Sequence, residues 1–461
     1  MITYNEAIQY LESFIDYERI AAPYDPFGWK LDRVERLLES IGNPHKDLKV
    51  IHVAGTKGKG STSAMIASVL REAGFKVGLY ISPHLVTFRE RITINGEMIS
   101  RDQVCEMVER IKPNVKELLK QEDSIGKISF FDVYTALALL FFKLENVDFT
   151  VLEVGMGGRL DATNVVNPLI SVITQISYDH IGALGNTLEA IAREKAGIIK
   201  DNGYVVTSPQ EPEVLQVIKD TCAEKVAMLF EVGRDITYQK IMGRENLFNV
   251  SGILSKYENL HVSLLGDHQI INATTAIGAL ECLWFHGITI ISPESIKNGL
   301  ESVKWRARVE VIQQNPIIIL DVAHNAASAK ALRDTIEANF TYDKLILILE
   351  VSQHKDVKGM GQYLCPMADI FILTKMNNPR AMDPEEIKKE LTELRNDFII
   401  TQDVKSAIDK ARAIAGKDDL ICVTGSLILA GEVMRVLDSD LHFDLSEDFD
   451  EPHFVIHSEG E

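Results

Sequence analysis

The stretch that most constrains this chain is Val53-Ala54-Gly55-Thr56-Lys57-Gly58-Lys59-Gly60-Ser61-Thr62. An apolar run over residues 48–53 reads as a buried strand, a glycine-rich turn follows, and residues 61–70 read as a helix that closes at Gly74. Strand, glycine loop and helix N-terminus together make a phosphate cradle. Glycines let backbone N–H groups approach an anion, the helix dipole favours negative charge there, and a lysine neutralises more of it. The general pattern G-x-x-x-x-G-K-[ST] is altered, because Gly60 stands between Lys59 and Ser61 and position 53 is valine. On these residues alone, a glycine-rich surface turn is the competing reading.

A chain of 461 residues is too long for one ordinary core and implies two or three domains. Its 46% hydrophobic and 25% charged content is that of a globular protein in water. The apolar run over residues 133–142 is cut short by Lys143, well below the roughly 18 residues that span a bilayer, so no membrane partner is expected. The first 14 residues lack the basic start and apolar centre of a signal peptide. Cys105, Cys222, Cys282, Cys365 and Cys422 are odd in number and form no C-x-x-C pair, which suits reduced thiols in a cytoplasmic protein. A net charge of −19 argues against nucleic acid, which needs a basic face. Part of that charge is local: no Lys or Arg follows Arg435, and residues 443–461 read as an acidic tail.

Along the chain, Thr3-Tyr4-Asn5-Glu6 has the form of a capping box, and residues 31–41 read as a helix with Val34, Leu37, Leu38 and Ile41 inward. Residues 21–29 read as a loop. A second strand over residues 76–81 ends at Ser82-Pro83-His84-Leu85. In doubly wound sheets the carboxyl ends of strands line the ligand crevice, which favours Ser82, although a serine before proline is commonly a turn residue. Ser129-Phe130-Phe131-Asp132 opens an apolar helix over residues 133–144. The next strand ends at Glu153 and runs into Gly155-Met156-Gly157-Gly158-Arg159-Leu160-Asp161-Ala162-Thr163-Asn164. A strand-end glutamate before a glycine-rich loop suits Mg²⁺, which prefers hard carboxylate oxygens beside nucleotide phosphates; a salt-bridge partner is the plainer reading. Ser177-Tyr178-Asp179-His180 ends a further strand, and Arg193, Glu194 and Lys195 follow on a helix. Residues 204–265 carry little pattern and read as mixed peripheral structure. Gly266-Asp267-His268-Gln269-Ile270-Ile271-Asn272-Ala273 then opens another helix.

Several of these motifs, in this order, resemble the Mur-type amide ligases, specifically the folylpolyglutamate synthase and dihydrofolate synthase family. The resemblance covers residues 28–432. It rests on Gly55-Thr56-Lys57-Gly58-Lys59-Gly60-Ser61-Thr62, Ser82-Pro83-His84-Leu85, the loop 155–164, Gly266 to Ala273, Asp321-Val322-Ala323-His324-Asn325-Ala326, Asn378-Pro379-Arg380-Ala381 and Thr424-Gly425-Ser426-Leu427. The chain departs from the family in having Asp132 for a usual glutamate, Arg306-Ala307-Arg308 for Pro-Gly-Arg, and Ala326 for proline. The resemblance implies an α/β fold: a P-loop N-terminal domain with a mostly parallel sheet (residues 1–298), a linker (299–310) and a smaller Rossmann-like α/β domain (311–442).

The resemblance further implies an ATP-dependent ligase adding L-glutamate to folates, and also to dihydropteroate, through an acyl phosphate with ADP and phosphate as products. Thr56, Lys57, Gly58, Lys59, Gly60, Ser61, Asn272, Arg308 and Asp321 would bind ATP. Ser82, Glu153 and His180 would hold Mg²⁺, and Lys195 would carry a carbamate. Phe131, Asp132, Leu160, Asp161 and Ala162 would face the folate, while His324 and Ser426 would serve glutamate, His324 and Lys59 in catalysis. A monomer is expected. Another Mur-type amino-acid ligase, or a nucleotide-binding regulator without ligase activity, are the alternatives. Lys195 has a bland reading too, as a surface lysine paired with Glu194 or a neighbouring acid.

Overall fold

The structure, a computed structural model, describes residues 2–16, 31–120, 126–178, 183–242, 246–289 and 291–441, with the backbone alone at 438–441. The expected loop at 21–29, His180 and the acidic tail at 443–461 lie outside the described residues.

The chain divides into two units. One comprises Met1–Pro83 and Arg89–Trp305, the other His84–Phe88 and Arg306–Glu461. The first is built on an eight-stranded sheet. Across it the strands run Glu97–Met98, Ile92–Ile94, Val77–Tyr80, Phe149–Glu153, Val50–Ala54, Ile170–Ile173, Tyr204–Thr207 and Met228–Glu231. The last six are parallel, and Ile92–Ile94 and Glu97–Met98 close one edge antiparallel. Val50–Ala54 and Phe149–Glu153 are buried along their whole length, as strands covered on both faces must be.

The helices Lys59–Glu72, Asp267–Cys282 and Pro293–Ser302 pack into one core with these strands. Met65, Ile66, Val69 and Leu70 meet Ala273, Ala276, Ile277 and Leu280 there, at the i, i+3, i+4 spacing of facing helical stripes. Capping boxes start the helices Tyr4–Glu12, Arg101–Leu119 and Phe130–Leu144, from Thr3 with Glu6, Ser100 with Gln103 and Ser129 with Asp132. The first agrees with the sequence reading. The last extends the expected helix back to Phe130, because Asp132 acts as its cap partner.

The weakly patterned region 204–265 contributes the two outer strands of the main sheet, the helix Pro212–Glu224 and a separate antiparallel sheet of Thr237–Lys240, Leu247–Ser251 and Lys256–His261. Alternation holds in Leu247–Ser251 but is broken in Lys256–His261, where an extra residue opposite residues 248–250 puts the buried Tyr257 and Leu260 three apart.

In the second unit a six-stranded sheet runs Glu310–Gln314, Ile317–Leu320, Leu420–Thr424, Leu345–Leu349, Ile370–Leu373 and Phe398–Ile400. All but the first are parallel. Of the expected linker, residues 299–302 belong to the helix Pro293–Ser302 and Glu310 opens a strand, so 303–309 carry no regular element. Ala307 takes φ +53° there, the left-handed conformation that a family glycine would adopt without a Cβ penalty, and Val309 follows at +48°. Val86 belongs to this unit's core with Ile318, Leu320 and Leu429, and Arg435 donates to its carbonyl at 3.3 Å. The motif expected as one stretch from Ser82 is therefore shared between units after Pro83.

Candidate active site

Parallel packing brings four strand ends together in the first unit. Val53 is in register with Glu153, Tyr80 with Leu152, and Ala54 with Ile173, so the segments beyond them emerge side by side. The phosphate loop leaves Ala54 and is strapped to the neighbouring segment. Thr56 N–H and Lys57 N–H both donate to Gln175 C=O at 3.0 Å, and Thr56 Oγ1 donates to Ser177 C=O at 3.2 Å. The helix starts at Lys59, two residues earlier than expected, and its first intrahelical bond is Thr62 N–H to Gly58 C=O at 2.9 Å. The amides of Lys59, Gly60 and Ser61 precede that bond and are the ones geometry frees for an anion.

Gly58 caps this helix at φ +84°, and a Cβ there would overlap the Asn272 side chain. Asn272, buried in the helix Asp267–Cys282, is thus held against the phosphate loop while its Nδ2 donates to Gln269 Oε1 at 2.9 Å. Trp305, which the sequence did not single out, lies over the same turn: a Cβ on Gly60 would sit 2.7 Å from its ring. Gly58→Ala is expected to lower kcat/KM for ATP about tenfold or more, since left-handed backbone costs an alanine about 1–2 kcal/mol and Asn272 must move. A value within twofold of the parent in an ADP-release assay would refute the need for this close approach.

Ser82 and Glu153 meet as expected. Ser82 N–H donates to Glu153 Oε2 at 3.3 Å, and Ser82 Oγ is buried with no hydrogen-bond partner. A buried hydroxyl left open beside a carboxylate 6% exposed is a donor set that suits a hard cation. Among the described residues no cluster of three or more His, Cys, Asp or Glu is assembled, and the third expected ligand, His180, lies outside them.

Lys195 is 4% exposed, and its Nζ donates to Gly55 C=O at 2.7 Å. Glu194 instead pairs with Arg159 at 2.8 Å. The surface pairing with Glu194 is thereby set aside: Lys195 points inward, at the phosphate loop.

The residues expected to face a folate divide in two. Phe131 is half-buried, packs on Gly155 and lies 6.0 Å from the Tyr80 ring, and Leu160 is likewise half-buried. Ala162 is buried. The two acids are built into the framework. Asp132 Oδ2 accepts from Ser129 N–H and Oγ–H at 2.9 and 2.8 Å and pairs with the buried Arg33 at 3.3 Å, a partner the sequence did not signal. Burial raises its pKa despite Arg33 and Ser129. Asp161 accepts from Met156 N–H at 2.9 Å and from Thr163 N–H at 3.0 Å, and burial raises its pKa too. Thr163 Oγ1 lies 2.8 Å from His52 Nε2, on the strand beneath the phosphate loop. Burial, with Lys200 nearby, pushes His52 down to about 3, so it is neutral and holds the loop without charge.

In the second unit, Asp321 follows the strand Ile317–Leu320 and accepts from Ala323 N–H at 2.7 Å and Val309 N–H at 3.2 Å. Burial raises its pKa, and the positive charge of Arg308 opposes that rise. His324 Nδ1 donates to Val322 C=O at 2.9 Å. Ser426 Oγ and Glu350 Oε2 share a hydrogen bond of 2.7 Å. Glu350 was missed: like Glu153 it is an acid at the end of a buried apolar run, but no glycine-rich loop follows it.

Family models match both parts of the chain: the Mur ligase middle domain over residues 53–280 and the Mur ligase glutamate ligase domain over 307–427. A dihydrofolate synthase/folylpolyglutamate synthase of Bacillus subtilis is 36% identical over 417 residues, covering 89% of this chain and 96% of that protein. The folylpolyglutamate synthase of Lacticaseibacillus casei is 32% identical over 442 residues, covering 95% and 99%. Among solved structures, Mycobacterium tuberculosis folylpolyglutamate synthase complexed with ADP and AMPPCP superposes with a TM-score of 0.85 at 30% identity, covering 94% and 98%. With the phosphate loop, Ser82 with Glu153, and the two α/β sheets in place, this chain belongs to the folylpolyglutamate synthase and dihydrofolate synthase family of Mur-type, ATP-dependent ligases.

Proposed function

We propose that the chain joins L-glutamate to the γ-carboxylate of folates and to the carboxylate of dihydropteroate. The observation that carries this reading is the phosphate loop with Asn272 against Gly58, beside Ser82 and Glu153 at the next strand ends. A substrate carboxylate oxygen attacks the γ-phosphorus of ATP, the bond to ADP breaks, and an acyl phosphate forms. The glutamate amine, having lost a proton, then attacks the acyl carbon; the carbon–oxygen bond breaks, phosphate leaves with its electron pair, and the nitrogen gives up a second proton to leave the amide.

Thr56, Lys57, Gly58, Lys59, Gly60 and Ser61 cradle the phosphates, with Asn272, Arg308 and Asp321 as further nucleotide contacts. Mg²⁺, held by Ser82, Glu153 and His180, would supply charge neutralisation at the transferring phosphoryl group. Phe131, Leu160 and Ala162 offer apolar surface to the folate, and Asp132 and Asp161 shape that surface through the bonds described above. His324 and Ser426 serve the amino acid. Carbamylated Lys195 would present an anionic oxygen beside the metal. The buried free thiols suit a cytoplasmic setting.

An ADP-release assay with glutamate, run in parallel on dihydropteroate and on a reduced folate, tests the reading. Glutamate-dependent ADP and phosphate are expected with both acceptors. AMP and pyrophosphate as the stoichiometric products would overturn the mechanism, and no product from dihydropteroate would remove that activity alone.

A further inference from the structure

Glu350 directly follows the strand Leu345–Leu349 and is wholly buried. Ser426 follows the adjacent strand Leu420–Thr424, so both stand at the carboxyl edge of the parallel sheet where α/β folds place their ligands. Glu350 Oε2 and Ser426 Oγ are hydrogen-bonded at 2.7 Å, while Oε1 is buried with no hydrogen-bond partner. Thr374, in matching register after the strand Ile370–Leu373, also buries an unpartnered hydroxyl. Unpaired buried oxygens are costly, most of all when charged, and call for an explanation.

The hydroxyl of Ser426 has one proton and two lone pairs. Leu429 N–H occupies one lone pair at 3.0 Å. What remains for a ligand depends on Glu350. We propose that Glu350 is a positioning residue that sets the direction of the Ser426 O–H: ionised, it draws the hydroxyl proton and leaves Ser426 able only to accept; protonated, it donates to Ser426 and frees the O–H for a carboxylate of the incoming amino acid. This rests on the reading above that Ser426 serves the amino acid.

The surroundings favour the protonated, carboxylate-binding form. Burial pushes Glu350 up to about 7, and Glu432 on the helix Leu427–Leu441 adds like charge. Glu432 itself accepts from Asn377 N–H at 2.8 Å and is acted on by Arg435 and Asp403. Met376, whose sulfur lies 3.7 Å from Ser426 Oγ, contributes no charge. An arriving carboxylate would disfavour ionised Glu350 further, and Ser426 stands just ahead of a helix whose N-terminal dipole favours an anion. Amino-acid binding therefore takes up a proton at Glu350.

Glu350→Gln tests this, because an amide donates to Ser426 as the protonated acid does and cannot ionise. Between about pH 6 and about pH 8.5 the wild-type KM for L-glutamate should rise about tenfold relative to that of the variant, the KM ratio for ATP staying flat. In a Ser426→Ala background, Glu350→Gln should no longer change the pH profile. A flat glutamate ratio, or equal shifts in the KM for glutamate and for ATP, would overturn the proposal while leaving the ligase reading intact. A wild-type chain that releases no ADP in response to glutamate would remove both.

Discussion

Lys59→Met is expected to reduce kcat on the order of 10²–10³-fold, with KM for ATP changing far less. Lys59 is the first residue of the helix that follows the glycine loop, on the turn whose amides precede the first intrahelical bond. On the proposed role, the charge it brings would be worth most when the γ-phosphoryl group is between donor and acceptor, since its oxygens then lie closest to fixed positive partners. Methionine keeps an unbranched stem of similar length and removes the charge together with the ammonium's N–H donors. ADP binding measured by calorimetry and the melting temperature serve as controls, and both should stay near the parent values. A kcat within threefold of wild type would remove Lys59 from phosphoryl transfer and leave the cradle to the backbone amides and the metal.

Lys195→Ala is expected to lower kcat/KM about 100-fold, and short carboxylic acids such as acetate or propionate to restore part of the loss. An ammonium beside Mg²⁺ is opposed by roughly several kcal/mol at a few ångströms in a partly dry site. Addition of CO₂ to the neutral amine, with loss of one proton, would turn that repulsion into an anionic acceptor. The burial of Lys195 and its 2.7 Å bond to Gly55 C=O put it against the phosphate loop, where such an oxygen would be useful. Truncation also leaves Gly55 C=O without this donor, a loss of about 1–3 kcal/mol that a melting curve will register. Rescue separates the two effects, because an added acid replaces the anion and does nothing for a lost ammonium contact. Near-full activity of Lys195→Ala under bicarbonate-free conditions would show that the lysine is structural. Mass spectrometry of the native protein, with a gain of one CO₂ at Lys195, gives an independent reading.

The sequence by itself determined the strand–loop–helix around Lys59, the strand ends at Ser82 and Glu153, the α/β character of both sheets and the family. Those features are local, since glycine spacing, buried β-branched runs and an acid or hydroxyl at a strand end are written in consecutive residues. Tertiary structure alone decided what meets what. Asn272 reaches Gly58 across more than two hundred residues of chain, and Trp305 covers Gly60, through the packing of three helices on one sheet face. Asp132 reads in sequence as a substrate acid, but the fold supplies Arg33 and Ser129 as its partners. Pairing with Glu194 was the plainer alternative for Lys195, yet helix rotation turns one outward to Arg159 and the other inward to Gly55. Neighbouring positions on a helix point about 100° apart, so adjacency in sequence is weak evidence of contact, and only the packed core fixes which face is buried.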